Sequence, residues 1–145
     1  MKSSQQKIII NHAAIDIYKI VLDIEKYPEF IPWCKEILIK SKSKNEILAD
    51  MIVCYKYFIP QKFTSHVIFD SNKLSIKTKY IEGPLKDLKT EWFFKKLEIK
   101  KTKVLFNIKF EFQKLIHQKL AEFFFGLIEN KMIDSFKKRS EEILD

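Results

Sequence analysis

From residue 35 to residue 112 the apolar side chains keep to every second position, segment after segment. Residues 103–112 are the cleanest case, with Val104, Phe106, Ile108, Phe110 and Phe112 opposite Asn107, Lys109 and Glu111. Residues 73–80 set Leu74, Ile76, Thr78 and Tyr80 against Lys73, Ser75, Lys77 and Lys79. Residues 62–69 group Phe63, Ser65, Val67 and Phe69, and residues 88–98 group Leu88, Trp92 and Phe94. Residues 46–58 place Ala49, Met51, Val53 and Tyr55 opposite Asp50, Ile52, Cys54 and Lys56, and residues 35–42 offer Ile37 and Ile39. Strand side chains alternate between two faces, so one apolar and one wet face predict an antiparallel sheet covered on one side. Ser43-Lys44-Asn45, Asp70-Ser71-Asn72 and Lys100-Lys101-Thr102 are short polar connections of the hairpin kind, and Gly83-Pro84 interrupts the pattern before the last two strands.

The period changes at both ends. Residues 5–12, with Ile8, Ile9 and Ile10, predict a first short strand. Ile17, Tyr18, Val21, Leu22 and Ile24 then recur at helical spacing. Pro28 and Pro32 restrict the following stretch to a turn or a single helical turn. Over residues 115–143, Leu115, Ile116, Leu120, Phe123, Phe124, Leu127, Ile128, Ile133 and Phe136 form a broad apolar stripe of one long helix. Gly126 inside it costs about 1 kcal/mol against alanine. A helix of about 29 residues is roughly 43 Å long, and a strand of about 12 residues roughly 40 Å. One long helix therefore matches one long, twisted sheet. The reading is an α+β fold in a single domain, residues 1–145, with the helices gathered on one face of the sheet.

Composition excludes several functions. Two glycines in the whole chain leave no glycine-rich phosphate loop and no GxSxG nucleophile elbow. Cys34 and Cys54 have no metal-ligand spacing, and His12, His66 and His117 form no HExxH pattern. Cys34 reads as a small buried residue with no base placed beside it, His66 as a surface histidine, and Asp87 and Glu91 as solvated carboxylates. The first residues lack the apolar core of a secretory signal, and no apolar run approaches the ~20 residues of a membrane span. A reduced, cytoplasmic protein is the expectation. The net charge is +8, and every basic side chain except Arg139 is lysine. Bidentate phosphate or base recognition leans on arginine. The lysines fit either diffuse attraction to anionic membranes or RNA, or a lysine-favouring, AT-rich genome.

A curved sheet facing an amphipathic helix encloses apolar space. Phe63, Phe69, Trp92, Phe94, Phe106, Phe110, Phe124 and Phe136 face into it, together with the hydroxyls of Tyr55, Ser65, Thr78 and Tyr80. Few polar groups in an apolar hollow is the make-up of a ligand pocket. The same pattern also suits rings that simply fill a core.

The run Tyr27-Pro28-Glu29-Phe30-Ile31-Pro32-Trp33-Cys34 resembles the YPEFLPWC signature of the coenzyme Q-binding, START-like proteins. These belong to the polyketide cyclase/dehydrase and lipid-transport group, whose bacterial members are often labelled ribosome-association toxins (RatA). Gly83-Pro84-Leu85-Lys86-Asp87-Leu88 with Trp92-Phe93-Phe94, the strand Phe106 to Phe112, and Met132-Ile133-Asp134-Ser135-Phe136 extend the likeness over essentially the whole chain. The resemblance implies a helix-grip (START-like) fold: a curved antiparallel sheet of about seven strands around a long C-terminal helix, with two short helices after the first strand. It implies non-catalytic binding of ubiquinone or a similar isoprenoid lipid, supporting respiratory electron transport, with no catalytic cofactor and no metal. The alternative it implies is binding to the large ribosomal subunit that blocks subunit association. No DNA partner is expected. The candidate cavity residues are Phe30, Trp33, Met51, Val53, Tyr55, Phe63, Ser65, Val67, Thr78, Tyr80, Leu85, Trp92, Phe94, Phe106, Phe110, Phe124 and Ile128.

Three departures bear on this. Ala13 and Gln113 stand where serine caps are common, and Leu85 where phenylalanine is usual, which could reshape the mouth of the cavity. A separate physical reading concerns Tyr27, Phe30 and Trp33. Between prolines, and with Lys26 and Lys35 nearby, these rings could form a lip that rests peripherally on the anionic inner face of the cell membrane.

Overall fold

The computed structural model describes residues 2–54, 60–116, 118–126 and 132–145. Seven strands form one sheet: β1 Lys2–Ile10, β2 Cys34–Lys42, β3 Glu46–Val53, β4 Gln61–Asp70, β5 Ser75–Glu82, β6 Asp87–Glu98 and β7 Lys101–Glu111. The spatial order is β1-β7-β6-β5-β4-β3-β2, with every neighbouring pair antiparallel. Strands β2 to β7 are thus a continuous meander, and β1 adds to its far edge. Helix α1, Ala14–Leu22, and a 3-10 helix, Ile24–Glu29, carry the chain from one edge strand to the other. Register shifts at Cys34/Glu36, Ile39/Ser41, Thr64/Ser65 and Lys96/Glu98 bend the strands, as extra residues in a ladder do.

The predicted helix over 115–143 is represented by α2, Gln118–Gly126, and α3, Met132–Leu144. Leu127, Ile128 and Lys131 lie outside the described residues, as do Tyr55 and His117. Leu115 is not part of the stripe: it sits in a turn and is 96% exposed. Gln113 does not cap a helix either, since its Nε2 donates to the Leu85 carbonyl at 3.3 Å. Ala13 precedes α1 without a side-chain cap, as its missing oxygen requires.

The core lies between the inner sheet face and the helices. Ile17, Tyr18 and Val21 of α1, Phe106, Ile108 and Phe110 of β7, and Ile133 and Phe136 of α3 are all buried. Two residues depart from the alternation. Leu74, expected in a strand, occupies the turn before β5 with φ 49°. Asp50, expected on the wet face, is 4% exposed. Its carboxylate accepts from Thr64 Oγ1 at 2.5 Å and faces Lys40 Nζ at 3.5 Å. A carboxylate can stay buried when it is paired and hydrogen-bonded in this way.

Candidate functional site: an apolar cavity under the sheet

Between the inner sheet face and the helices lies a cavity of about 140 Å³. Its sheet wall draws on six strands: Ile37 from β2, Ala49, Met51 and Val53 from β3, Phe63, Ser65 and Val67 from β4, Ile76 and Thr78 from β5, Leu88, Thr90 and Trp92 from β6, and Phe106 and Ile108 from β7. Ile24 and Tyr27 of the 3-10 helix, Trp33, Phe123 and Phe124 of α2, and Met132 and Phe136 of α3 complete it. The inner-face residues share the wall because alternate strand positions point the same way and antiparallel register sets them side by side.

Of the candidate residues, Trp33, Met51, Val53, Phe63, Ser65, Val67, Thr78, Trp92, Phe106 and Phe124 are brought together around this space. Five others are placed elsewhere. Phe30 is half-buried outside the cavity, edge-on to Phe136 at 5.2 Å, with the Arg139 guanidinium 4.9 Å from its ring centre. Phe94 is a core ring between Trp92 and Tyr18. Phe110 packs with Phe112, Phe124 and Phe125 at the end of β7. Tyr80 and Leu85 bond to each other: the hydroxyl donates to the Leu85 carbonyl at 3.0 Å and accepts from its N–H at 2.9 Å. Leu85 is 2% exposed, so it is core rather than mouth. Tyr55 and Ile128 lie outside the described residues.

The alternation already placed Ile37, Ala49, Ile76, Leu88 and Ile108 inward, and all five belong to the wall. Thr90 was missed although it lies two residues from both Leu88 and Trp92. Its hydroxyl is 2.5 Å from that of Thr78, directly across the β5–β6 ladder. Ser65, Thr78 and Thr90 are the hydroxyls on the sheet wall. Tyr27 supplies a fourth, but its O–H donates to the Val21 carbonyl. Burial first, then the neighbouring Cys34 and Asp23, raises its pKa, so it stays a neutral donor.

No carboxylate, imidazole, amine or thiol is part of the described lining. Cys34 is buried nearby, and burial pushes its thiol up to about 11, against an opposing backbone bond from Glu36. A thiol held protonated is a poor nucleophile. His12 pairs with Asp145 at 2.5 Å and His66 with Glu46 at 3.1 Å. Among the described residues no His, Cys, Asp and Glu side chains converge as a metal site would require.

The expected aromatic lip turns inward. Tyr27 is buried against Phe136 at 5.2 Å, and Trp33 is edge-on to Phe123 at 5.7 Å. Their rings join the cavity wall to the helices, with Trp33, like Phe30, half-buried. Among the described residues no helix is long and apolar enough to cross a membrane. A second hollow of about 210 Å³ beside α1 is larger but is rimmed by Lys19, Asp23, Glu25 and Lys42. These are exposed charges, so it suits water better than an apolar guest.

Residues 10–137 match the family described as polyketide cyclase / dehydrase and lipid transport. The chain belongs to that family. It is 31% identical over 147 residues to the ribosome association toxin RatA of Rickettsia prowazekii, covering 99% of each chain. It is 32% identical over 143 residues to the mitochondrial coenzyme Q-binding protein of Drosophila melanogaster, covering 93% of this chain and 58% of that one. Its fold matches the Zhui aromatase/cyclase from Streptomyces sp. R1128 with a TM-score of 0.86 at 14% identity, over 99% and 96% of the two chains. The helix-grip, START-like architecture is thus that of this chain. The family's description includes lipid transport, which is compatible with a hydrophobic ligand.

Proposed function

We propose that the chain holds ubiquinone or a related isoprenoid in this cavity without transforming it, as a carrier or chaperone for respiratory electron transfer. The observation that carries the reading is a hydroxyl patch, Ser65, Thr78 and Thr90, set in an otherwise apolar wall. A quinone head is one flat ring with two carbonyl acceptors, and it complements apolar walls with a few donors. Size agrees with a single ring: the cavity of about 140 Å³ compares with the roughly 150 Å³ that takes one benzene in an engineered apolar core. The ring occupies the cavity, and the isoprenoid tail extends beyond it. The described lining offers no carboxylate, imidazole, amine or thiol to activate its hydroxyls, which favours binding over turnover.

Native mass spectrometry of freshly purified protein, with solvent extraction and identification of bound lipid, tests this. The chain's two tryptophans, Trp33 and Trp92, both line the cavity, so short-tailed quinones should also quench its fluorescence saturably. A chain that stays empty and unquenched after incubation with quinones overturns the reading.

A second reading is association with the large ribosomal subunit that blocks subunit joining. The near full-length likeness to the ribosome association toxin of Rickettsia prowazekii favours it. Salt-dependent cosedimentation with purified large subunits is its test.

A further inference from the structure

We propose that the outer face of the sheet, opposite the cavity, binds the phosphate backbone of duplex RNA through a row of three lysines. Register places Lys79 directly opposite Lys89, and Lys89 directly opposite Lys109, across β5, β6 and β7. All three are exposed, and their strand neighbours Thr78, Thr90 and Ile108 line the cavity, so the three amines share the outer face. Adjacent strands are about 4.8 Å apart, and the row is therefore about 10 Å long. Like charges directly opposite one another destabilise a sheet. Among the described residues none of the three has an acidic partner, although Lys77 and Glu91 in the next row pair at 3.6 Å. Of the nearest acids along the strands, Glu111 pairs with Lys86 at 3.6 Å, Asp87 accepts from the Leu88 N–H at 2.9 Å, and Glu82 lies three residues along β5 from Lys79 without an ion pair among the described residues. A second opposed pair, Lys95 and Lys103, lies further along β6 and β7. An arrangement that works against folding, with no ion pair made by the three lysines among the described residues, suits a polyanion that adds negative charge.

The surroundings choose among polyanions. The rings that would anchor a lipid surface, Tyr27, Phe30 and Trp33, pack against α2 and α3 on the other side of the sheet. The single arginine, Arg139, is engaged with Glu29 at 3.0 Å and with Phe30, so no guanidinium fork is free to read base edges. Phe93 is half-buried beneath the Lys77 amine, 6.0 Å away, so the row has no open ring for stacking single-stranded bases. What remains is backbone contact with a helix. Ser3 faces Lys109, and Gln5 faces Asn107 in the adjoining row. These hydroxyl and amide groups can both donate to and accept from the 2′-hydroxyls that distinguish RNA. The inference stands on the outer face alone and does not depend on the cavity. Naked RNA tests this face, whereas ribosomal particles test the second reading above.

The experiment is fluorescence anisotropy of a labelled RNA duplex of about 16 base pairs against salt concentration. Three proteins are compared: the parent, a Lys79→Gln/Lys89→Gln/Lys109→Gln variant, and a charge-matched Lys44→Gln/Lys100→Gln/Lys138→Gln control. The row variant should weaken binding more than tenfold at low salt and flatten the logarithmic salt slope by about one per lysine. The control should lose much less. Melting of the row variant no lower than the parent shows that its weaker binding does not come from unfolding. Four results overturn the proposal: no binding at low salt, equal loss in the control, equal affinity for a DNA duplex of the same sequence, or dependence on the row only for anionic vesicles.

Discussion

Tyr80 and Leu85 hold each other across the Gly83-Pro84 turn, the hydroxyl of one serving both the carbonyl and the N–H of the other. The turn depends on glycine. A Cβ at Gly83 would lie 2.7 Å from the Tyr80 hydroxyl and 3.1 Å from the Lys62 carbonyl. Gly83→Ala should therefore break the Tyr80 bonds or displace the β4 backbone. Tyr80→Phe isolates the hydroxyl. It leaves the Leu85 carbonyl one bond, from Gln113, but orphans a buried N–H, at a cost of about 1–3 kcal/mol. Urea denaturation of both variants checks this, and Gly83→Ala should be at least as destabilised.

The Thr78–Thr90 pair makes a prediction that separates binding from folding. In Thr78→Val alone, the hydroxyl of Thr90 loses its partner, at a cost of about 1–2 kcal/mol of stability. In Thr78→Val/Thr90→Val both polar groups go together, so stability should recover to within about 0.5 kcal/mol of the parent. Quinone affinity should not recover. Loss of one or two hydrogen bonds weakens it about tenfold. A double-mutant cycle read by denaturation and by tryptophan quenching measures both effects.

How much of this was legible in the residues is visible at particular positions. The alternation gave the sheet because strand period and burial coincide wherever one face is covered; Val104, Phe106, Ile108 and Phe110 are all buried, as their spacing requires. It also gave most of the sheet wall of the cavity. It could not separate residues on the same face, and so Phe94 and Phe110 were grouped with Trp92 and Phe106 although they sit to either side of the space. That distinction depends on position along the strand relative to the packed helices, which residue type does not announce. The alternation puts Asp50 on the wet face, yet Thr64 and Lys40, brought in from neighbouring strands, let it stay buried. The start of α2 was missed because Leu115 continues the helical period while the chain is still in a turn. The lysine row escaped for the opposite reason. Each lysine looked like an ordinary wet-face residue until register set three of them side by side.

Cys34 predicts alkaline behaviour. Burial raises its thiol pKa in the folded state to about 11, whereas an unfolded thiol titrates near 8.5. A raised folded value means the unfolded chain loses its proton first. The thiol's contribution, about 3 kcal/mol, is complete below the unfolded value and is lost as pH rises through the folded one. Stability of the parent should thus fall more steeply than that of Cys34→Ala over about pH 8.5–11. Tyr18, Tyr27 and Tyr80 are raised in the same direction, also mainly by burial; Tyr18 and Tyr80 cancel in that difference, whereas Tyr27, which Cys34 also raises, cancels only in part. At neutral pH a disulfide reagent should modify Cys34 only as fast as the protein opens.

The cavity itself can be tested by filling it. Ala49 is 6% exposed and lies on the wall, directly opposite Ser65 of β4 and Ile39 of β2. Ala49→Leu adds three carbons at a place where the core has a void. Overpacking a filled core costs about 1–3 kcal/mol, but here the added methyl groups gain contacts the void lacks. The variant should therefore fold with stability equal to or above the parent. Its quinone quenching should fall by more than tenfold, because the ring and the leucine compete for one ring-sized space. If Ala49→Leu is instead destabilised by several kcal/mol, the wall is already close-packed. A variant that is stable and still quenched like the parent would place the ligand elsewhere than between the sheet and the helices.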